Sequence, residues 1–470
     1  MVGITSFGFY IPVYRLKRDE ISRVWKTKSL GGERTVAGYD EDSLTMAVSA
    51  ILDCMKDGQK QADSLFFAST TSPFKEKQTA AIIAAAVDLN EKIQTADFTD
   101  SLRSGTIALN LAVDAVKSGS CRSVIIAISD SRMGVGKSQF EQLFGDGAVA
   151  LEIGSSDVIA SIEASFTIHS EFIDTWRLEG DPFVQAWEER FILNEGYFKI
   201  MESVISGILE KYNLTPKVFT KVILFGPDWR TQTNLAKRLG FDIHTQVQDL
   251  PFQYIGNAGV ATVPIMLVNA LTTAHPGDKI LIANYGDGAD AFILHVTENI
   301  ERIQRKEKMK EWVMRKIYID YEQYLNWRGL VPVEEMRRPE PRAPSVPCLW
   351  RDRKSIFALY GNRCNLCGTV QYPPQRICVK CQGKDSFEDY KLSDKKGKIF
   401  TYSFDSLTSG PEIPTIFGVI DFEEGGRLMC EITDCEPSQI RIGMPVEMCF
   451  RKVTRKGNFP NYFWKARPLS

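Results

Sequence analysis

The chain has 470 residues, 44% of them hydrophobic and 25% charged, with a formal net charge of −2. That composition excludes a disordered chain, and the near-neutral balance gives no electrostatic case for nucleic acid or an anionic membrane surface. No apolar run reaches the roughly 20 residues that span a bilayer, and a prior of about 150 residues per domain predicts two to four domains.

The opening M-V-G-I-T-S-F-G-F-Y-I-P has no basic leader and no small-residue cleavage site, so it reads as a first strand and not as a signal peptide. From there to about residue 298, apolar β-like runs alternate with amphipathic stretches. Strands are predicted at Ser64–Ser69, Ser123–Ser129, Lys221–Gly226 and Lys279–Asn284. Helices are predicted at Asp42–Met55, Gln78–Val87, Ser104–Lys117, Phe198–Lys211 and Asn234–Leu239. Alternation of this kind predicts an α/β domain with a parallel or mixed sheet covered by helices. F-G-D-G-A-V-A-L-E-I at Phe144–Ile153 is echoed by Y-G-D-G-A-D-A-F-I-L at Tyr285–Leu294. Two matching turns, each opening an apolar strand, predict two halves of similar topology with a site between them.

Beyond residue 298 the chain turns charged and helical to about Ile317, then becomes the Pro/Arg-rich connector R-R-P-E-P-R-A-P-S-V-P, which cannot be helix. Cys364, Cys367, Cys378 and Cys381 follow as C-x2-C-x10-C-x2-C. Two tight pairs of thiolates suit tetrahedral zinc, and with four cysteines no position stays open for water, so the metal is structural. Gly368 lets the first knuckle turn tightly. The other six cysteines show no framework spacing, and the ten together point to a reducing cytoplasm. Short alternating runs over Asp389–Pro468, split at Gly425–Gly426 and Gly443, predict a small closed barrel of the OB type. The aromatic tail Asn458–Pro468 reads as barrel core with a partner-facing edge. The expected parts are an α/β domain over 1–298, a linker over 299–347, a zinc ribbon over 348–388 and a barrel over 389–470.

Several motifs carry a resemblance. S-T-T-S-P-F-K-E-K-Q-T-A at Ser69–Ala80, L-R-S-G-T-I-A-L at Leu102–Leu109, F-G-D-G-A-V-A, G-P-D-W-R followed by A-K-R-L-G-F ending at Phe241, and I-G-N-A-G at Ile255–Gly259 resemble the thiolase superfamily, in particular hydroxymethylglutaryl-CoA synthases and ketoacyl synthases. The ribbon, Y-L-N-W-R-G-L-V-P at Tyr324–Pro332 and R-I-G-M-P-V-E at Arg441–Glu447 resemble acyl-CoA-associated zinc-ribbon/OB-fold proteins. The resemblance implies a duplicated thiolase-type fold in which a helix-terminal cysteine, activated by a histidine, attacks an acyl thioester.

Where the resemblance places that cysteine, this chain has Leu102. The histidine falls on Phe225 and the synthase glutamate on Thr70; the downstream asparagine is kept as Asn257. Leu102 cannot attack a thioester and Phe225 cannot move a proton; losing a nucleophile or its base costs on the order of 10⁶ in rate. The expectation is a non-catalytic, zinc-containing subunit that binds coenzyme A thioesters and works with a thiolase-type catalytic subunit, as a homodimer within a hetero-oligomer. The alternatives are an active acyltransferase or acyl-CoA retro-aldolase with an unconventional site, and a CoA-binding carrier module. Ser101 is the substitute nucleophile to weigh against a helix-cap serine. Asn257 is a thioester-oxygen donor to weigh against a cap. Asp146 and Asp287 read as turn chemistry, Cys121 as a structural thiol, and His275 as a solvated turn residue. None of the four histidines, His169, His244, His275 and His295, falls at a matched catalytic position. Arg337, Arg338 and Arg342 are candidates for a CoA phosphate, and Arg302–Arg315 reads as a solvated helix face.

Overall fold

Ser123–Asp130 (S-V-I-I-A-I-S-D) and Gly147–Gly154 are buried along their whole length, as strands covered on both faces must be. The computed structural model describes residues 1–469 other than 60, 250, 304–307, 335–344, 409–411, 413 and 454–459. Arg337, Arg338, Arg342 and most of the Pro/Arg-rich connector lie outside the described residues, as do 304–307 of the predicted basic helix. The chain divides into two units, one formed by residues 1–37, 42–81 and 89–321 and the other by 38–41, 82–88 and 322–470.

The first unit is organised by a nine-stranded mixed sheet. Its order is Lys221–Leu224, Lys279–Tyr285, Gly288–Val296, Ala160–His169, Gly3–Tyr10, Gly147–Gly154, Ser123–Asp130, Ser64–Ala68 and Gln94–Phe98. The expected duplication is visible in the pairing. Ser64–Ala68 runs parallel to Ser123–Asp130, which returns antiparallel as Gly147–Gly154. Lys221–Leu224 runs parallel to Lys279–Tyr285, which returns antiparallel as Gly288–Val296. The two G-D-G-A sequences therefore occupy corresponding places. Their backbones differ: Gly286, Asp287 and Gly288 all have positive φ (154°, 48° and 117°), and none of Gly145, Asp146 and Gly147 does. Left-handed turn chemistry, expected at both, is thus found at only one. Asp146 is instead a buried brace whose carboxylate accepts the Ala37 N–H at 2.7 Å.

The predicted helices Ser104–Lys117 and Phe198–Lys211 have those bounds. The helix predicted at Asn234–Leu239 runs over Trp229–Arg238, because Asp228 caps it by accepting the N–H groups of Arg230 and Thr231 at 2.8 and 3.0 Å. Helix Ser43–Cys54 packs on the Gly3–Tyr10 and Gly147–Gly154 strands. Gly8 makes this approach possible: a Cβ there would lie 2.2 Å from Cys54 N and 2.3 Å from Ala50 O. Gly8→Ala is expected to destabilise the fold by about 1–3 kcal/mol through overpacking. Thermal melts by circular dichroism check this, and an unchanged midpoint would contradict it. After Gly288–Val296 come a 3₁₀ turn (Glu298–Arg302), a helix (Lys308–Met314) and a strand, Ile317–Ile319, that pairs with Tyr14–Lys17. Arg302 there pairs with Asp157 at 2.9 Å.

In the second unit Val370–Gln371, Tyr360–Cys364 and Phe387–Lys391 form a small sheet, and five strands close a barrel. Around the barrel these are Gly397–Asp405, Thr415–Phe422, Arg427–Ile432, Tyr462–Pro468 and Pro445–Lys452. The aromatic tail from Tyr462 onward is core as expected, with Trp464 fully buried and its Nε1–H donating to Phe357 O at 2.8 Å; residues 458 and 459 of that tail lie outside the described set. A charged cluster is buried in the same unit. Arg451, 0% exposed, donates to Glu41 and, at 2.6 Å, to Asp434. Lys465 pairs with Asp40 at 2.8 Å and with Glu431. Burial pulls the Lys465 ammonium down, but Asp40, Tyr39 and Glu431 outweigh it and hold its pKa well above the ordinary lysine value.

Candidate active-site cavity and metal centre

Asp130 ends the Ser123–Asp130 strand fully buried, and its two oxygens organise the floor of the candidate site. Oδ1 accepts from Thr70 N (2.8 Å), Thr71 Oγ1 (2.9 Å) and Ser69 Oγ (3.1 Å); Oδ2 accepts from Thr70 Oγ1 (2.8 Å) and Val260 N (3.0 Å). One carboxylate thus ties the S-T-T segment to the turn after Asn257. Gly259 is required there: its φ is +58°, and a Cβ would fall 2.2 Å from Asp130 Oδ2.

A second tie brings the start of helix Ser104–Lys117 to the Gly286–Gly288 turn. Arg103 donates from Nε to Gly286 O, from Nη2 to Asp287 O (3.0 Å) and from Nη1 to Asp290 (3.1 Å), which also accepts Thr106 Oγ1 at 2.6 Å. Asn284 Nδ2 holds Leu102 O at 3.1 Å. Between these ties lies a cavity of about 1050 Å³. Thr70, Ser101 and Leu102 line it with Arg132, Asp174, Arg177 and Asp287. Its wall also includes the exposed apolar side chains Ile173, Leu178, Trp187 and Phe191.

Phe225 and Asn257 do not line the cavity. Phe225 is 4% exposed and stacks on Tyr285 with centroids 6.2 Å apart, and its carbonyl accepts the Tyr197 hydroxyl at 2.5 Å. Asn257 Oδ1 accepts from Gly259 N (3.0 Å) and Thr262 Oγ1 (3.1 Å), a cap for the turn into helix Thr262–Leu271. Ser101 Oγ accepts the Arg103 N–H at 3.2 Å, as a helix-start serine does. Cys121 is buried, 3.1 Å from Ser64 Oγ, and His275 is an exposed turn residue.

Asp130, Arg132, Asp174 and Arg177 carry the site's charge, and local pattern marks only one of them. Burial lowers the Arg132 pKa. Burial pushes the Asp174 carboxyl up, against hydrogen bonds from Thr175 and the Tyr285 hydroxyl that pull it down. The one legible signal is at Asp130, an acidic residue closing a long apolar run. Asp174 lies in H-S-E-F-I-D-T-W-R, which has neither a helical nor a strand period.

The metal centre is in the second unit. The Sγ atoms of Cys364, Cys367, Cys378 and Cys381 lie within 4.8 Å of one another. Cys364 is 3.6 Å from Cys381, and Cys367 is 3.5 Å from Cys378. Four sulfurs about 2.3 Å from one zinc have tetrahedral edges of about 3.8 Å, so the donor set fits the ion. Gly368 takes φ +73° in the first knuckle as expected. The Lys380 and Cys381 N–H groups point to Cys378 Sγ at 3.4 and 3.5 Å, the bonds a thiolate accepts.

Known proteins share these parts. Residues 352–388 match the family described as ChsH2, rubredoxin-like zinc ribbon domain, and residues 390–451 the one described as ChsH2, C-terminal OB-fold domain. The hydroxymethylglutaryl-CoA synthase of Methanocaldococcus jannaschii is 32% identical over 341 residues, covering 70% of this chain and 99% of that protein. That of Aeropyrum pernix is 33% identical over 347 residues, covering 71% and 96%. Among solved structures, HMG-CoA synthase complexed with CoA superposes with a TM-score of 0.63 at 16% identity, covering 72% of this chain and 91% of that one. The 3-oxoacyl-[acyl-carrier-protein] synthase III from Aquifex aeolicus gives 0.57 at 21%, covering 63% and 100%.

Sheet, ribbon and barrel together define a thiolase-type α/β protein extended by a zinc ribbon and an OB fold. More particularly, the chain belongs to the hydroxymethylglutaryl-CoA synthase family. Among the described residues no helix is long and apolar enough to cross a membrane.

Proposed function

We propose that this protein is a CoA-binding subunit of an acyl-CoA complex that makes or breaks a carbon–carbon bond, and that it does not form an acyl-enzyme itself. The observation that carries this reading is Leu102, on the cavity wall where the resemblance puts the nucleophile. Phe225, in the place of the histidine, is packed in an aromatic stack and offers no proton. Thr70, in the place of the glutamate, is bonded to Asp130. Ser101 Oγ accepts the Arg103 N–H and its hydroxyl donates to Gly286 O at 3.4 Å, with no base beside it in these bonds. In this reading a thiolase-type partner supplies the cysteine, zinc holds the ribbon together, and the complex works in the cytoplasm. We take 1–298 as the synthase-like part, 299–347 as the linker, and 348–388 and 389–470 as the ribbon and OB parts; the last two support docking of the partner. The subunit is a homodimer within that hetero-oligomer.

Two measurements test it. Incubation of the purified chain with acetyl-CoA, followed by intact mass, is expected to show no acetyl adduct; a stoichiometric adduct would overturn the reading. Native mass spectrometry of the protein from its own host is expected to show a thiolase-sized partner and one zinc per chain.

A further inference from the structure

We propose that Arg132, backed by Arg177, forms an anion subsite in this cavity that takes the carboxylate of a ligand with an apolar body. Neither arginine stands at a position to which the resemblance assigns a role. The inference covers a carboxylate on a free acid and one at the far end of an acyl thioester. It needs neither a partner subunit nor an acyl-enzyme.

Arg132 is 6% exposed and lines the cavity. Two features build its place. Gly259 lets the side chain pass, since a Cβ there would lie 2.8 Å from Arg132 Cδ. The Phe144 ring carries the guanidinium 4.5 Å from its centroid and is itself stacked on Phe140, with centroids 4.9 Å apart. A ring face attracts the cation but leaves its five N–H groups without acceptors. Among the described residues no carboxylate, carbonyl or hydroxyl accepts from Arg132. The nearest carboxylate in sequence, Asp130, has both oxygens committed to Ser69, Thr70, Thr71 and Val260. The Arg132 nitrogens are not sealed in protein as two of those of Arg15 are, so they open on the cavity. Arg177 lines the same cavity and donates from Nη2 to Thr70 O. Among the described residues no ion pair closes on either arginine.

A guanidinium this deeply buried is costly unless its donors are satisfied. Burial draws the Arg132 pKa down; Asp130 and Asp174 pull it up, and the neighbouring Arg177 charge lowers it. One anion held by both guanidinium groups relieves burial and mutual repulsion together. A carboxylate matches the planar fork of a guanidinium with two parallel bonds. Its single charge also suits this lining better than a phosphate dianion does, because Asp100, Asp174, Asp287 and Glu171 face the same space. The wall sets the rest of the ligand. Ile173, Leu178 and Trp187 are 67, 67 and 64% exposed, and Phe191 stands beside them. Hydrocarbon laid over these side chains leaves water favourably.

The test uses the zinc-loaded full chain with hexanoate and with hexanamide, which has the same body and no charge. Binding is read by ligand-observed NMR. Hexanoate is expected to bind at least about 10-fold more tightly than hexanamide, the gain of one charge-assisted pair. Arg132→Gln is expected to abolish that preference and to leave hexanamide binding as it was, and Arg177→Gln to reduce the preference in part. Hexanoate that does not bind, or binds no better than hexanamide, would overturn the subsite, as would a preference kept in full by Arg132→Gln. Inorganic phosphate that binds the same place more tightly than hexanoate would overturn the carboxylate assignment. If Arg132→Gln fails to fold, the two ligands on the wild type and on Arg177→Gln decide. Displacement of hexanoate by adipoyl-CoA and by hexanoyl-CoA, which differ by the terminal carboxylate, identifies the source. A lower displacing concentration for adipoyl-CoA assigns the subsite to the far end of a thioester, and equal concentrations assign it to a free acid; both uphold it. Failure of both thioesters to displace hexanoate would count against the CoA-binding reading alone.

Discussion

Replacing Cys378 by serine, or stripping the metal with a strong chelator, is expected to unfold the ribbon between Tyr360 and Lys391 and to leave the nine-stranded sheet intact. The ribbon sheet has strands of five, two and five residues, too little to be stable on its own backbone pairing. Structural zinc in small modules supplies about 10–16 kcal/mol of apparent binding free energy, and this is also folding free energy. Cys364 and Cys378 are each 1% exposed, so losing the ion leaves thiols crowded in the interior of a module with almost no core. Hydrogen exchange read by mass spectrometry, with zinc content measured on the same sample, checks the outcome. Loss of protection should be confined to the ribbon and its immediate supports. Full protection of residues 360–391 in a zinc-free sample would refute a structural metal.

The second large effect is expected at Arg451. Its guanidinium is wholly buried and meets Glu41 and Asp434, with Asp40 at 3.7 Å from Nε. Building such a cluster gains little, because desolvation offsets the attraction, but removing one partner strands the others in the interior at about 3–5 kcal/mol. Arg451→Met should therefore lower the unfolding free energy of the C-terminal unit by that amount. Arg451→Lys should recover only part of it, because an ammonium cannot hold two carboxylates in a fork. Guanidinium denaturation followed by circular dichroism gives the number, and a loss below about 1 kcal/mol would show that water reaches the cluster.

Much of this architecture is legible in the chain because it is periodic or spaced. The amphipathic period of Ser104–Lys117 and Phe198–Lys211 fixes both ends of each helix. The cysteine pairs announce a four-sulfur site whose sulfurs do converge, and the repeated G-D-G-A marks the two halves. The resemblance drew attention to Thr70, Ser101 and Leu102, and the fold brings these three to one cavity. Its other two positions behave differently: Phe225 stands behind the wall and Asn257 caps a turn. Illegible were the residues whose meaning is set by distant partners. Asp174 sits in an irregular stretch, and Tyr285 is read locally only as the opening residue of the second G-D-G-A turn. Arg451 and Glu41 are 410 positions apart, and nothing near either one shows that a charge there would be buried. Asp146 and Asp287 share one local sequence but not one backbone, because one braces a buried loop and the other bounds an open cavity.

The C-terminal unit draws four residues from Gly38–Glu41 and seven from Ile82–Asp88. A gene division at the connector would therefore not yield two self-sufficient polypeptides. The shorter product would carry Arg451 and Lys465 without Glu41 and Asp40 and would be short of acid, with the missing charge on the longer polypeptide. Were the two products co-expressed, that imbalance would act as an address: the barrel would bind the one chain carrying an acidic pair at 40 and 41, and a lysine at either position would send it away.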